Sequence, residues 1–228
     1  MALTKYKCPY CGKEFAKQRT LQVHLCEPKR RHLQQHEKWV QNALLVFQRW
    51  ETIHYNHNKQ KTYSDFCKSP YYNGFVKFGR YMMHINPLYP EKYIDYVIKS
   101  RVKLDHWARD ELYETYLIET LKIEPVESAL QRSIATMMDW AEEQHAQWSD
   151  YFRLVNTNRA VQHIQQGKIS PWLVLGCNAG KKMLQSFNDE QLQMIEKFIN
   201  PSFWPSKLKS YPADLLFVQE TAKEAKIE

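Results

Sequence analysis

The chain has 228 residues, of which 43% are hydrophobic and 14% aromatic, and it contains only six glycines and five cysteines. This length and hydrophobic content suffice to bury a core, so the composition excludes an intrinsically disordered protein. The apolar runs are far shorter than the roughly 20 residues that span a bilayer, and the start lacks a secretory signal, so we expect a cytoplasmic protein with no membrane partner.

Positive charge is concentrated at the start of the chain. Residues 1–38 contain nine lysines and arginines and three glutamates, a net charge of +6, whereas the other 190 residues contribute only +1. A basic segment of this kind is typical of a module that binds a polyanion, most often nucleic acid. A solvated basic surface without a partner is the alternative interpretation.

Residue types that bind metals recur at regular spacing near the start of the chain. Cys8 and Cys11 form a Cys-x2-Cys pair, which directs two thiolates onto one cation, and His24 follows after twelve intervening residues. Phe15 and Leu21 lie where two-Cys two-His zinc fingers carry the apolar residues of their small core. The segment resembles that finger family, and the resemblance implies a ββα fold around one Zn²⁺ ion.

The fourth ligand departs from the finger family, which has a second histidine three to five residues after the first. Cys26 and His32 are the two alternatives here, and a site with only three protein ligands is the third. In a continuous helix, positions 24 and 26 point about 200° apart and could not share a metal. Pro28 disfavours helical geometry at the preceding residue. We therefore expect the helix to end near Leu25 and Cys26 to turn back toward the metal.

The finger resemblance also implies which residues contact a ligand. The positions that read bases in that family are occupied here by Lys17, Thr20 and Val23, and Arg19 lies beside them. Lysine can reach a guanine edge, whereas valine can contact only a thymine methyl group. One finger covers about three base pairs, which is too few for useful sequence specificity.

A basic run follows the finger and ends its linker. It consists of Lys29, Arg30 and Arg31, which we interpret as phosphate contacts that add affinity without sequence information. We therefore expect weak, largely nonspecific binding to nucleic acid, with DNA as the expected ligand. The alternative is an adaptor whose finger docks onto a protein partner.

The rest of the chain has apolar residues at three- and four-residue spacing, which predicts α-helices. A helix of about five turns begins near His32, and Ser69 with Pro70 begins the next. In the stretch YYNGFVKFGRYM, the aromatic residues form either a buried core or, with the interleaved cations, a stacking platform for single strands. Further helices are predicted over 90–99, 105–122, 125–143 and 158–166, from 171, over 188–200 and from 212.

These patterns predict a mainly α fold. A small N-terminal ββα zinc finger with its basic linker, residues 1–31, is joined by a long helix to an irregular all-α domain, residues 32–228. No paired carboxylates and no Ser/His/Asp arrangement stand out, so we expect a protein that is not an enzyme. A metal-dependent nuclease is the less favoured alternative.

Four phrases of the sequence carry a second resemblance: SPYYNGFVKFGRY, KLDHWARDELYETYL, GKISPWLVL and FWPSKLKSYPAD. Over nearly its whole length the chain is similar to a family of tailed-phage proteins, found especially in myoviruses of marine cyanobacteria. This similarity implies a location in the cytoplasm of an infected bacterium. It also implies an accessory role in phage DNA replication, recombination or transcription, with a protein partner from that machinery.

Overall fold

The computed structural model describes residues 5–55 and 60–227. Within these residues the chain has fifteen α-helices and one two-stranded antiparallel sheet, which confirms the predicted mainly α fold. The chain forms two compact units, Met1–Leu112 and Tyr113–Glu228. A separate domain over residues 1–31 stays a prediction.

The first unit begins with the predicted order of two strands and a helix. Strand β1, Tyr6–Lys7, pairs with strand β2, Glu14–Phe15, so that Tyr6 lies opposite Phe15. Helix α1, Gln18–Val23, follows. A hairpin this short has few ladder hydrogen bonds and needs further support, because even longer isolated hairpins are marginally stable in water.

The remaining helices of the first unit follow a short linker helix. They are α2 Glu27–Leu33, α3 Lys38–Tyr55, α4 Tyr63–Lys68, α5 Tyr72–Ile85 and α6 Pro90–Lys99, and α7 Asp110–Ile123 continues into the second unit. The predicted start of the long helix near His32 is wrong: His32 lies in the last turn of the separate helix α2, which ends at Leu33, and the long helix begins at Lys38 after a turn over residues 34–37.

The core of the first unit is built on the packing of α3 against α5. Gly79 permits the close approach, because a Cβ atom there would lie 2.4 Å from the carbonyl oxygen of Trp39. Phe75 and Phe78 are fully buried, which confirms the core interpretation for these two members of the aromatic stretch. Tyr71, at the start of the same stretch, is 50% exposed.

The second unit packs short helices around the buried helix α11. Its helices after α7 are α8 Val126–Gln144, α9 Tyr151–Leu154, α10 Thr157–Gln165, α11 Pro171–Gly176, α12 Asn178–Gln185, α13 Asp189–Ile195, α14 Trp204–Ser210 and α15 Pro212–Glu224. The capping box predicted at Asn188 is present, because its side chain and that of Gln191 accept each other's backbone N–H groups. Local capping thus determines where several of these helices begin.

A buried ion pair joins two segments of the second unit. The Arg132 guanidinium donates to both carboxylate oxygens of Glu124, at 2.5 and 2.7 Å, and its Nε donates to the carbonyl oxygen of Gly167 at 2.6 Å. Glu124 is only 6% exposed. Because buried charges are tolerated only when they are paired and hydrogen-bonded, this contact fixes α8 against the turn at Gly167.

Candidate metal centre

The first two cysteines lie on a tight turn at the end of the hairpin. Cys8 directly follows β1, and its backbone N–H donates to the carbonyl oxygen of Lys13 at 2.9 Å. Gly12 donates to the carbonyl oxygen of Cys8 at 2.9 Å and has a φ of 73°, a left-handed conformation that favours glycine. The turn places Cys8 and Cys11 on the same side of the hairpin, facing α1.

Four side chains converge at this turn, and their ligand atoms all lie within 4.8 Å of one another: Cys8, Cys11, His24 and Cys26. The Cys8 and Cys26 sulfurs are 3.9 Å apart, and the Cys11 sulfur is 3.3 Å from Nε2 of His24. Tetrahedral Zn²⁺, with bonds of about 2.3 Å to sulfur and 2.0 Å to nitrogen, requires separations of about 3.8 Å between sulfurs and 3.5 Å between sulfur and nitrogen. These two separations match a tetrahedral ion, and the four residues together lie close enough to hold a metal ion.

Extended backbone brings Cys26 to the same point as His24. Helix α1 ends at Val23, two residues before the predicted end, and both His24 and Cys26 have extended φ and ψ angles. In extended backbone, residues two apart point to the same side, whereas in a helix they point nearly opposite ways. Cys26 is thus the fourth member of the cluster.

His32, the alternative fourth ligand, is not part of the cluster. Its imidazole packs against the ring of Tyr10, with ring centroids 5.2 Å apart. Tyr10 lies between the first two cysteines, so this contact connects α2 to the turn that carries them. The aromatic contact was not anticipated from the sequence, because nothing local relates position 10 to position 32.

The segment around the cluster has almost no core of its own. Phe15 and Leu21, the predicted core pair, are only half-buried, although the ring of Phe15 packs 4.7 Å from that of His24. Cys8 is the one buried residue between positions 5 and 39. A segment this exposed cannot fold on apolar burial, and a structural metal ion supplies on the order of 10 kcal/mol to segments of this type.

The environments of the thiols differ. Desolvation opposes ionisation of Cys8, but hydrogen bonds from the backbone N–H groups of Cys11 and Tyr10 outweigh it and lower the pKa of this thiol. Desolvation raises the pKa of Cys26, a hydrogen bond from the backbone N–H of Lys29 opposes it, and the neighbouring sulfurs of Cys11 and Cys8 raise the pKa further. Thiolates this close repel one another, and a bound cation would remove that repulsion.

The predicted base-reading residues lie on or next to the exposed surface of α1. Lys17 is the N-cap residue of the helix, and Arg19, Thr20 and Val23 are all exposed. The structure describes no ion pair for Lys17 or Arg19 among residues 5–55 and 60–227. Both cations therefore remain available to a ligand, and their contact with nucleic acid stays a prediction.

The basic run after the finger has intramolecular partners. Lys29 donates to the carbonyl oxygen of His24 at 3.0 Å, which caps the end of α1. Arg30 and Arg31 both donate to the carboxylate of Glu27, at 2.7 and 3.0 Å. These contacts give the three cations a structural role, and their predicted contacts with phosphate stay a prediction.

Arg31 also connects α2 to the helices of the first unit. Its guanidinium donates to the carbonyl oxygen of Cys67 and lies 4.1 Å from the ring centroid of Tyr72. The Tyr63 hydroxyl donates to the backbone carbonyl of Arg31 at 2.5 Å. The side chain of Arg31 is only 17% exposed. These contacts therefore hold α2, which directly follows Cys26, against α4 and α5.

Charge differs strongly between the two compact units. Residues 1–112 contain 20 lysines and arginines and 10 acidic residues, a formal net charge of +10, whereas residues 113–228 contain 12 and 15, a net charge of −3. The excess positive charge thus extends beyond residue 38 into the helices of the first unit. The second unit is acidic.

The fold and the cluster together define a mainly α-helical protein with a Cys₃His group between the turn of a short β-hairpin and the segment that follows α1. No protein family, curated protein or solved structure matches this chain. Among the helices of residues 5–55 and 60–227, none has the length and apolar content that crossing a bilayer would require. Function is therefore inferred from the geometry and charge of the chain itself.

Proposed function

We propose that the chain is a zinc-stabilised, non-enzymatic accessory protein that binds nucleic acid, with DNA as the expected ligand. The observation that carries the proposal is that the metal cluster belongs to the unit with a net charge of +10. A basic surface attracts the phosphate backbone whatever its sequence.

Zn²⁺ is the metal that suits this donor set best. Three thiolates and one imidazole are soft and borderline ligands, and all four positions of a tetrahedral ion are filled by the protein. A site closed in this way is structural, since catalytic zinc sites keep one position for water or substrate. This supports a protein that uses the metal for folding and not for chemistry.

The test compares two pairs of cations in the full-length chain. Affinity for duplex and for single-stranded DNA is measured against salt concentration for the wild type, for Lys17→Gln/Arg19→Gln and for Lys181→Gln/Lys182→Gln. Each variant removes two positive charges. The first pair lies at α1, whereas the second lies on exposed positions of α12. We expect the first variant alone to weaken binding and to reduce the salt slope by about one unit per lost phosphate contact.

Absence of binding at low salt to either form of DNA would overturn the proposal, as would an equal loss in the two variants. A chain that holds zinc but binds no nucleic acid would favour the adaptor alternative. That alternative is supported by exposed apolar side chains on both sides of His24 and at the end of α2, because Val23, Leu25 and Leu33 are 76, 60 and 61% exposed. Exposed apolar groups of this size are common where proteins dock.

The wider setting rests on sequence resemblance. A role in phage DNA replication, recombination or transcription, with a protein partner from that machinery and a location in the host cytoplasm, stays a prediction. Incubation of the purified protein with DNA and Mg²⁺ tests the nuclease alternative, and cleavage that disappears with a chelator would contradict the non-enzymatic proposal.

A further inference from the structure

A cavity of about 680 Å³ lies within the first unit, away from the metal cluster. Its walls come from the second half of α3, the start of α5 and the segment after α6. The lining side chains that matter here are Trp50, Tyr71, Asn73, Arg101, Lys103 and Asp105. The cavity therefore combines aromatic rings, cations and hydrogen-bonding groups in one space.

Aromatic rings form one side of the cavity. The rings of Trp50 and Tyr71 pack edge to face, with centroids 5.5 Å apart, and Tyr71 is half-exposed at the rim. Trp107 lies deeper and is 3% exposed, and its indole N–H donates to the carbonyl oxygen of Val102 at 2.8 Å. Rings held in this way offer rigid faces on which a planar group can stack.

Cations lie on the opposite segment. Arg101 and Lys103 are both exposed, and neither forms an ion pair within the part of the chain that the structure describes. The backbone between them is fixed on both sides, because the N–H of Val102 donates to the hydroxyl of Ser100 and its carbonyl accepts from Trp107. The backbone that carries the two positive charges is therefore fixed beside the rings.

Arg101 occupies a backbone position at which glycine would be less strained. Its φ is 59°, in the left-handed region that costs an L-residue about 1 kcal/mol or more relative to glycine. Arg101 directly follows the C-cap Ser100 of α6, a position at which the backbone commonly turns left-handed to end a helix. A guanidinium at the mouth of an aromatic cavity is a suitable group for an anionic ligand.

We propose that this cavity binds a nucleotide unit. The base stacks on the half-exposed ring of Tyr71, with Trp50 at its side, and the base edge hydrogen-bonds to Asn73 and Asp105. Its phosphate pairs with Arg101 and Lys103. A carboxylate at the base edge accepts hydrogen bonds from amino groups, which adenine, guanine and cytosine carry and thymine and uracil lack. The base must be unstacked to enter, so the ligand is a nucleoside monophosphate unit, either free or within a single strand, and not an intact duplex.

This site goes beyond the proposed function, which requires only charge on and around the finger. The cavity uses none of the metal-binding residues and none of the cations on α1. It adds a stacking contact with a preference for single strands.

The experiment measures binding of the full chain to fluorescently labelled single-stranded oligonucleotides, with free nucleoside monophosphates as competitors. Tyr71→Ala should weaken single-strand binding about 10- to 100-fold, since stacking on an aromatic side chain contributes about 1–3 kcal/mol per base. Arg101→Gly should also weaken binding while thermal stability is maintained or increased, because glycine suits the left-handed backbone. Arg109→Gln is the matched control, an exposed cation of the same unit outside the cavity.

Ultraviolet crosslinking followed by mass spectrometry locates the contact, and we expect modification of Trp50 or Tyr71. Displacement by mononucleotides identifies a free nucleotide as the ligand, whereas binding of oligonucleotides alone identifies a strand, and both support the site. Crosslinks only outside the cavity, or affinities within twofold of wild type for Tyr71→Ala and Arg101→Gly, overturn it. If only the Lys17→Gln/Arg19→Gln variant loses binding, the cavity is rejected as a binding site and the proposal that the finger binds DNA stands. If only Tyr71→Ala and Arg101→Gly lose binding, the cavity stands and DNA binding by the finger is rejected.

Discussion

Cys26 gives the candidate metal centre three cysteines and one histidine, where the finger family has two of each. In the finger family the fourth ligand extends from the recognition helix, but here α1 ends at Val23 and the chain runs extended through His24. The His-x-Cys spacing is incompatible with a helix and suits an extended segment. Because the ligand lies immediately before α2, the metal cluster is continuous with the helix that contacts the rest of the first unit.

Replacement of Cys26 and of His32 is expected to distinguish which of the two residues is the fourth ligand. Cys26→Ala removes one of four ligands and should weaken Zn²⁺ binding by more than about 100-fold, because even groups that only orient a ligand contribute 10- to 100-fold. His32→Ala should leave one Zn²⁺ bound per chain. Metal stoichiometry and competition with a chromophoric chelator measure both. Loss of metal in His32→Ala with retention in Cys26→Ala would reverse the assignment.

His163 is a buried residue with a consequence for stability. Its Nδ1 lies 2.7 Å from the Tyr151 hydroxyl, and the side chain is largely inaccessible. Burial is the main cause that lowers the pKa of His163 to about 4, and the nearby charges of Lys168 and Arg159 lower it further against the opposing effect of Glu143. The imidazole is therefore neutral in the folded protein at physiological pH.

Acidification is expected to destabilise the chain through His163. The unfolded state takes up a proton near pH 6.5 and the folded state only near pH 4, so stability is greatest above 6.5 and falls as the pH decreases toward 4. Each unit of pKa difference is worth about 1.4 kcal/mol. Urea unfolding at several pH values measures the effect. His163→Gln should flatten the profile, whereas His84→Gln, at an exposed position, should not.

At the scale of elements, α2 acts as the connection between the metal cluster and the helices. It has only seven residues and no buried side chain, so its position depends on the contacts of individual residues. Lys29 holds the end of α1, and Arg31 contacts α4 and α5. The basic run, which the sequence predicts to bind phosphate, thus also joins α2 to α1, α4 and α5.

Truncation of Arg31 should therefore cost stability as well as charge. Arg31→Ala is expected to lower the free energy of unfolding by about 1–3 kcal/mol, because it leaves the part-buried carbonyl oxygen of Cys67 without its charged donor. Arg30→Ala removes the same charge from a side chain that is 46% exposed and should change stability little. Thermal and urea unfolding of the two variants measure the difference. Equal effects of the two substitutions would show that α2 is not held by Arg31.

At the scale of the whole molecule, the two units differ in charge, and the start of the first unit differs from the rest of the chain in what stabilises it. The second unit has a large buried core that includes Trp172, Trp204 and Tyr151. Residues 5–39 have almost no buried core, and there the four-residue cluster takes the place of one. Metal binding is thus expected to stabilise the start of the chain and not the second unit.

Removal of the metal tests this division. Chelation should increase hydrogen exchange over residues 5–33, whereas residues 113–227 should keep their protection, because their core contains no cluster of metal ligands within the described residues. Hydrogen-exchange mass spectrometry of the full chain, before and after chelation and after return of Zn²⁺, measures both regions at once. Unchanged exchange over residues 5–33 would contradict a structural role for the metal.

Most of the helices could be predicted because their signals act within a few residues. Pro90 and Pro212 begin α6 and α15 as expected, and Asn188 caps α13. Helix α4 was missed although its signal is equally local, a capping box between Thr62 and Asp65. The shift of the long helix to Lys38 reflects the turn over residues 34–37, which hydrophobic spacing alone does not reveal.

The sequence by itself determined the helical fold, the Cys-x2-Cys turn and the approximate position of His24, since spacing and capping are properties of neighbouring residues. Only the tertiary structure decided that Cys26 completes the cluster, that Arg31 joins α2 to α4 and α5 and that a cavity lies beside Tyr71. These depend on contacts between residues far apart in the chain, and such contacts follow from how helices pack, which the local pattern of residues does not specify.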